Sequence, residues 1–378
     1  MPYLTGFLIL SLFFSSPCGN KKEENVSGQE IRNNMKKAAE WQINNFNYKT
    51  EGNLHDYGID AWTNGVLYVG MLEWAKMADD SAPYFKWLSE IGEKNNWSIP
   101  ANFENYPRYS LYHADELCVG QFYLAMYDIY KKPQMLASTK NRVDWIIENP
   151  GDSVMSYKNK QRWTWCDALF MAPPVYAHMY MLTGNESYVD FMDKEFRKTY
   201  DHLYDKEYNL FFRDDSFFDK REANGKKIFW GRGNGWAAAG LVNLLKILPS
   251  GSSYRPFYEE LFKKFVSQLV QYQDADGFWH ASLLDPDSYP SPETSATALI
   301  TYALAYGINQ GLLSRTEYYE PALKGWNALV SALGEDGKLG WVQPIGADPK
   351  KVTADMTAVY GVGAFLMAGT EMNRLMDN

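Results

Sequence analysis

Two aspartates with aromatic or ionisable neighbours are the residues best suited to moving protons in this chain. Asp167 stands in Arg162-Trp163-Thr164-Trp165-Cys166-Asp167-Ala168-Leu169-Phe170-Met171-Ala172-Pro173-Pro174. Trp163 and Trp165 flank it, and apolar surroundings disfavour a charged carboxylate, lifting its pKa toward the range of a general acid. An Asp ahead of an apolar helical run also serves as an N-cap, accepting from the free N–H groups of the first turn. Both readings of Asp167 stand on the sequence alone. Asp115, in His113-Ala114-Asp115-Glu116-Leu117-Cys118, occupies the matching position 52 residues earlier. Two carboxyl groups can divide acid and base duties. His113 beside them is either a hydrogen-bonding group at a helix start or a participant in the chemistry.

The string Trp230-Gly231-Arg232-Gly233-Asn234-Gly235-Trp236 is the most specific in the chain. Alternating glycines invite a nucleotide-binding reading, but that fingerprint needs a preceding strand and a βαβ unit, and neither pattern is present. The glycines instead permit close approach and positive φ, which would place Arg232 between the faces of Trp230 and Trp236. A guanidinium between aromatic walls suits a carboxylated sugar. The alternative is a glycine-rich turn with two core tryptophans. Metal sites are not expected: His55, His113, His178, His202, His280 and the three cysteines lack ligand spacing. Asp274-Ala275-Asp276-Gly277 departs from a calcium loop at Phe278 and reads as a turn. No cofactor is expected.

The elements that must position these residues form a repeat. Six runs share a polar head followed by a small, apolar, uncharged stretch, with heads at Asp60, Asp115, Asp167, Asn234, Ser295 and Asp355, spaced by 55, 52, 67, 61 and 60 residues. Helices apolar all round are buried. Between them lie amphipathic segments over 31–46, 84–94, 135–148, 188–203, 254–272 and 318–333. In 254–272, Phe257, Leu261, Phe265, Leu269 and Tyr272 make one stripe, and Glu259, Glu260, Lys263 and Lys264 face water. One buried and one amphipathic helix repeated six times predicts an all-α (α/α)6 barrel, six inner helices inside six outer ones. Parallel inner helices would gather their heads, with Trp62, Trp165, Trp230 and Trp236, into one cup suited to a sugar ring.

Composition agrees with a sugar-binding body. The 378 residues include 60 aromatics (20 Phe, 13 Trp, 27 Tyr), and the formal charge is −9 with 37 Lys+Arg. A nucleic-acid partner would call for a basic surface, so none is expected. Residues 3–14 are almost entirely apolar and too few to span a bilayer. With Ser15-Ser16-Pro17-Cys18-Gly19-Asn20 they read as an export signal, either ordinary or of the bacterial lipoprotein kind with Cys18 lipidated. Residues 1–28 are therefore expected to be signal and tether, and 29–378 one catalytic barrel. That places the protein in the periplasm or on a membrane of a Gram-negative bacterium.

Trp165-x-Asp167 opening an apolar helix, the Asp115 head one repeat before it, and Trp-Gly-Arg-Gly-Asn-Gly-Trp together resemble glycoside hydrolase family 105, the unsaturated rhamnogalacturonyl hydrolases, and more distantly family 88. The resemblance covers residues 30–375 and implies an (α/α)6 barrel. It also implies metal-free removal of a 4,5-unsaturated uronic acid from the non-reducing end of lyase-generated oligosaccharides. It makes Asp167 the general acid, Asp115 its carboxylate partner, and Trp230, Arg232 and Trp236 part of the uronyl subsite. By this resemblance the acid protonates C4 of the enol ether, water adds at C5, and the hemiketal collapses to release the aglycone. There is one departure: many family members carry a His where Leu210-Phe211-Phe212-Arg213 has Arg213. A fixed cation there would favour a sulfated rhamnose, as in ulvan, over plain rhamnogalacturonan; Arg213 could equally pair with Asp214 or Asp215. Two other functions fit the same cup: a glycosidase of saturated chains, and a lipoprotein that binds oligosaccharide without turnover.

Overall fold

The computed structural model describes Met1 and residues 26–46, 58–100 and 108–377; Cys18, most of the expected signal and tether, and His55 lie outside them. The inner helices are α2 (Trp62–Met77), α4 (Cys118–Tyr130), the broken pair α6 (Ala168–Met171) and α7 (Pro173–Thr183), α9 (Gly231–Ile247), α11 (Thr294–Asn309) and α13 (Val359–Asp377). The outer ones are α1 (Gly28–Asn44), α3 (Ala82–Lys94), α5 (Gln134–Glu148), α8 (Glu186–Leu203), α10 (Arg255–Val270) and α12 (Arg315–Ser331). Each inner helix packs on the next, and α13 closes the ring against α2. This is the (α/α)6 barrel. The only strands among the described residues are β1 (Tyr204–Asp205) and β2 (Leu210–Phe211), an antiparallel pair. No described helix is long and apolar enough to cross a membrane.

Burial follows the two sequence patterns. Every residue of α9 from Gly231 to Leu245, and of α11 from Thr294 to Ile308, is buried, whereas α8 buries one stripe that includes Tyr188, Met192, Phe196 and Leu203. At the start of the chain, Ser27 and Glu30 form a reciprocal capping box for α1.

The prolines Pro173 and Pro174 break the third inner helix after Met171. Without N–H groups they cannot donate to the carbonyls four residues back, at Leu169 and Phe170. Both carbonyls are accommodated by neighbours. Gln121 of α4 donates its Nε2 to Phe170 O at 2.8 Å and Met171 O at 3.3 Å. Leu169 O abuts α9 at Gly240, where a Cβ would lie 2.2 Å from that oxygen.

The inner helices α2 and α13 approach each other as closely. A Cβ on Gly70 would stand 2.2 Å from Gly363 O, and one on Gly363 would stand 2.4 Å from Val66 O. In an unconstrained helix Gly→Ala gains about 1 kcal/mol. Here the backbone must separate, and such overpacking costs about 1–3 kcal/mol. We expect Gly70→Ala to lower the thermal midpoint, with a net loss of up to about 2 kcal/mol in calorimetry; a raised midpoint would contradict this packing.

Candidate active site

The N-terminal ends of the inner helices surround a cup of about 500 Å³. Its walls include Asp60, Trp62, His113, Asp115, Glu116, Trp165, Asp167, Arg213, Trp230, Arg232 and Trp236. Nine of the ten residues that the sequence nominates for chemistry or sugar contact therefore share one cavity, and Asn234 is the tenth.

Asp167 does not cap a helix. Its backbone is helical, its side chain accepts no N-terminal N–H, and its residue is 9% exposed. Cys166 Sγ contacts its Oδ2 at 3.4 Å, and Arg213 Nε lies 3.9 Å from the same oxygen. Burial raises the Asp167 carboxyl above its ordinary value; Arg213 opposes the shift and the negative charge of Asp115 reinforces it. Trp165 lies in the cup wall, but Trp163 does not flank the carboxyl. It is buried against Tyr176 and Phe191, at 5.9 and 6.3 Å between centroids.

Asp115 lies in a 3₁₀ turn, Ala114–Leu117, rather than at the head of α4. Its Oδ1 is buried without a hydrogen-bond partner, and its Oδ2 is 3.8 Å from His113 Nδ1, which is also buried and unpartnered. The His113 ring packs on Trp165 at 4.6 Å between centroids, and burial lowers the His113 pKa. His113 and Asp115 thus line the cup while a buried nitrogen of one and a buried oxygen of the other keep unused hydrogen-bonding capacity.

The opposite wall is built on α9. Gly231, Gly233 and Gly235 lie within the helix, so positive φ is not their purpose. Gly231 provides close approach: its N–H donates to Ala281 O at 2.8 Å, and a Cβ would lie 2.2 Å from His280 O. Arg232 is 1% exposed and is sandwiched by Trp230, at 4.5 Å, and Tyr360, at 5.2 Å, rather than by two tryptophans. It donates to Gln343 O, Pro344 O and the Tyr360 hydroxyl, leaving its buried Nε without a partner. Trp62 stacks on Tyr360 at 5.3 Å and meets Trp236 edge-on at 6.0 Å.

The sequence overlooks two supporting residues. Glu293, fully buried, accepts from Ser295 N, Ser295 Oγ and Ala296 N and reaches Gln343 N at 3.0 Å. Gln343 accepts from Trp230 Nε1 at 3.1 Å and offers its carbonyl to Arg232. An acidic N-cap, Glu293 just before the α11 run, was the available signal; Gln343 left none.

Three of the expected heads do other work. Asn234 is fully buried and does not line the cup. Its Oδ1 accepts from Phe211 N at 2.8 Å, and its Nδ2 donates to Phe211 O and Trp230 O, both at 3.0 Å. It thereby holds β2, two residues before Arg213, while Cys166 N donates to Arg213 O at 2.9 Å. Ser295 is buried on Glu293, and Asp355 is bonded to Thr353 in a separate groove. Arg213 pairs with Asp214 at 2.5 Å while facing Asp167. No three His, Cys, Asp or Glu side chains among the described residues are arranged to hold a metal.

Glu116 adds a third carboxyl beside Asp115, and burial, Asp115 and Asp60 push it up to about 7 against the pull of Arg142. The folded protein keeps this proton up to about pH 7, whereas the unfolded chain releases it near 4.5. Its contribution to stability is therefore full below pH 4.5 and lost as pH rises through 7. We expect Glu116→Gln to gain thermal midpoint over the parent across that window; a pH-independent difference would contradict the assignment.

The model of Glycosyl Hydrolase Family 88 matches residues 34–376. An unsaturated 3S-rhamnoglycuronyl hydrolase from Formosa agariphila is 38% identical over 368 residues, 94% of this chain and 93% of that protein. A solved family 88 hydrolase from Bacteroides vulgatus superposes with TM-score 0.83 at 29% identity, covering 93% of this chain and all of that one. A solved chain named as a polysaccharide lyase also superposes at 0.83, with 30% identity over 93% of this chain and 98% of its own.

Proposed function

The chain belongs to glycosyl hydrolase family 88, and we propose that it removes a 4,5-unsaturated uronic acid from the non-reducing end of lyase-generated oligosaccharides. The sugar released with a new hydroxyl is a rhamnose, 3-sulfated in the favoured substrate, as the name of the Formosa agariphila relative indicates for that protein. The observation that carries the reading is the buried Asp167 carboxyl, pushed above its ordinary pKa and sharing with Asp115 a cup with an aromatic wall.

Asp167 in its protonated form donates to C4 of the enol ether, leaving positive charge shared by C5 and the ring oxygen. Water adds at C5 and gives its proton to Asp115, which lines the same cup. The hemiketal so formed opens, and the aglycone leaves as an alcohol. Trp62, Trp230 and Trp236 supply flat faces for the sugar, and Arg232 supplies positive charge near its carboxylate. Because the proton goes to carbon, the carboxylate-separation rule for retaining and inverting glycosidases does not apply.

The lyase name attached to one structural neighbour describes the reverse demand on the site. A lyase removes the C5 proton and needs a base, whereas a carboxyl whose charged form is disfavoured by burial is suited to donate. The two are separated by the ultraviolet absorbance of the conjugated double bond, which a lyase creates and this reaction destroys. We expect absorbance to fall with lyase digests of ulvan. A rise indicates lyase action, new reducing ends at constant absorbance indicate a glycosidase of saturated chains, and binding alone indicates a capture protein.

Asp167→Asn should reduce kcat by at least about 10²–10⁴-fold, the usual contribution of a positioned acid, with an unchanged thermal midpoint. Retained turnover removes Asp167 from the mechanism. In the parent, kcat should fall as pH rises through the elevated Asp167 pKa, because the protonated form is the donor; an acid-side loss alone would assign Asp167 to the wrong role. The sequence of residues 3–20 supports export, with lipidation at Cys18 anchoring the enzyme to a membrane, and residues 29–378 as one catalytic domain.

A further inference from the structure

Arg213 is the residue whose type suggests recognition of a sulfate, yet its charge is already engaged. Its Nη1 donates to Asp214 at 2.5 Å, and its Nε faces Asp167 at 3.9 Å. Two carboxyl groups therefore share one guanidinium. A second cation stands nearby with no such partner. Lys160 lies on the segment between α5 and α6, partly buried, and its Nζ is 5.5 Å from the centroid of the Trp165 ring. Among the described residues no carboxylate lies within ion-pair distance of it and no hydrogen bond holds its ammonium; the aromatic face and the more distant charges of Asp214 and Asp115 support it.

Trp165 is part of the cup wall and carries His113 as well. The Lys160 charge is felt by His113 and Arg213, so it acts on the cavity and not merely on bulk solvent. Burial, together with repulsion from Arg213, holds the ammonium below its ordinary pKa. Asp214 and Asp115 attract it from beyond ion-pair distance without reversing that shift, and a partly desolvated cation left without a direct partner near a second cation is an arrangement that a bound anion stabilises.

We propose that Lys160, resting on Trp165 and assisted by Arg213, is the specificity residue that receives a sulfate ester carried by the aglycone sugar. This rests on the hydrolase reading above. The uronic carboxylate has its own cation, Arg232, in the α9 wall, so the Lys160 side of the cup is left for an anion on the second sugar. A sulfate ester stays ionised throughout the working pH range and presents several acceptor oxygens, which suits an ammonium and a guanidinium approaching together.

The test compares unsaturated uronyl-rhamnose disaccharides with and without the 3-sulfate, for the parent, Lys160→Ala and Lys160→Arg. The ratio of kcat/KM on sulfated over desulfated substrate should fall about tenfold or more in Lys160→Ala, chiefly through KM, which is the scale of one charge-assisted hydrogen bond. Lys160→Arg should keep most of the ratio. An unchanged ratio in Lys160→Ala overturns the inference, whether both activities hold or both fall together through lost packing on Trp165. A parent inactive on both disaccharides sinks the hydrolase reading and this inference with it. An active parent with an unchanged ratio sinks the inference alone.

Discussion

The Arg232 side of the cup depends on one fully buried acid, Glu293. Its two oxygens accept from Ser295 N, Ser295 Oγ, Ala296 N and Gln343 N. A charge with no access to water is tolerated only when its hydrogen bonds are complete, and the N-terminus of α11 adds the favourable end of a helix dipole. The consequence runs outward. Gln343, fixed by Glu293, receives Trp230 Nε1 and presents its carbonyl to Arg232 and to the Tyr360 hydroxyl. Arg232 has no freedom to swing away from the cavity, because Trp230 and Tyr360 cover its faces and carbonyl oxygens take two of its nitrogens. Its position is a property of three chain segments brought together, and Glu293 is where they meet.

The acid side of the cup is positioned by a different route. Asn234, on the same helix as Arg232, grips Phe211 from both sides, and Phe211 belongs to the short hairpin that leads into Arg213. Arg213 then returns its carbonyl to Cys166 N, the residue before Asp167. One helix therefore sets both the cation in the uronyl wall and the cation that faces the acid. The double proline contributes by keeping α6 to four residues. Asp167 stands at the start of a helix too short for a developed macrodipole, so little helix-end charge acts against protonation of its carboxyl.

The barrel is legible in the sequence because each ring has its own pattern: charge-free runs of small and apolar residues inside, one apolar stripe outside. The acid pair is legible because polar heads recur at near-constant spacing. What that spacing cannot reveal is which heads are exposed to the cavity. Asp60, Asp115 and Asp167 open onto the cup, while Asn234 and Ser295 turn into the interior and Asp355 caps nothing, lying four residues ahead of α13. The same residue types at the same register serve a ligand or a backbone, and only tertiary packing decides. Trp163 and Trp165 show the limit most plainly, since residues two apart in irregular chain point one to the core and one to the cup. Gln343 left no sequence signal, because a lone glutamine in a loop is ordinary until three segments converge on it.

The chain is acidic overall, at −9, and the cup itself holds Asp60, Asp115, Glu116 and Asp167, yet the proposed substrate is an anion. Burial eases the conflict: it disfavours the charged forms of Asp60, Glu116 and Asp167, and Arg213 and Arg232 add positive charge to the same lining. The same electrostatics couples binding to chemistry. A uronate entering beside Asp167 brings negative charge into a poorly solvated space, which raises the carboxyl pKa further. In the proposed reaction, binding would thus favour the protonated form that donates to C4, with Arg213 and Arg232 opposing the shift. Desolvation is therefore the source of both the affinity for an anion in an acidic cavity and the readiness of its acid.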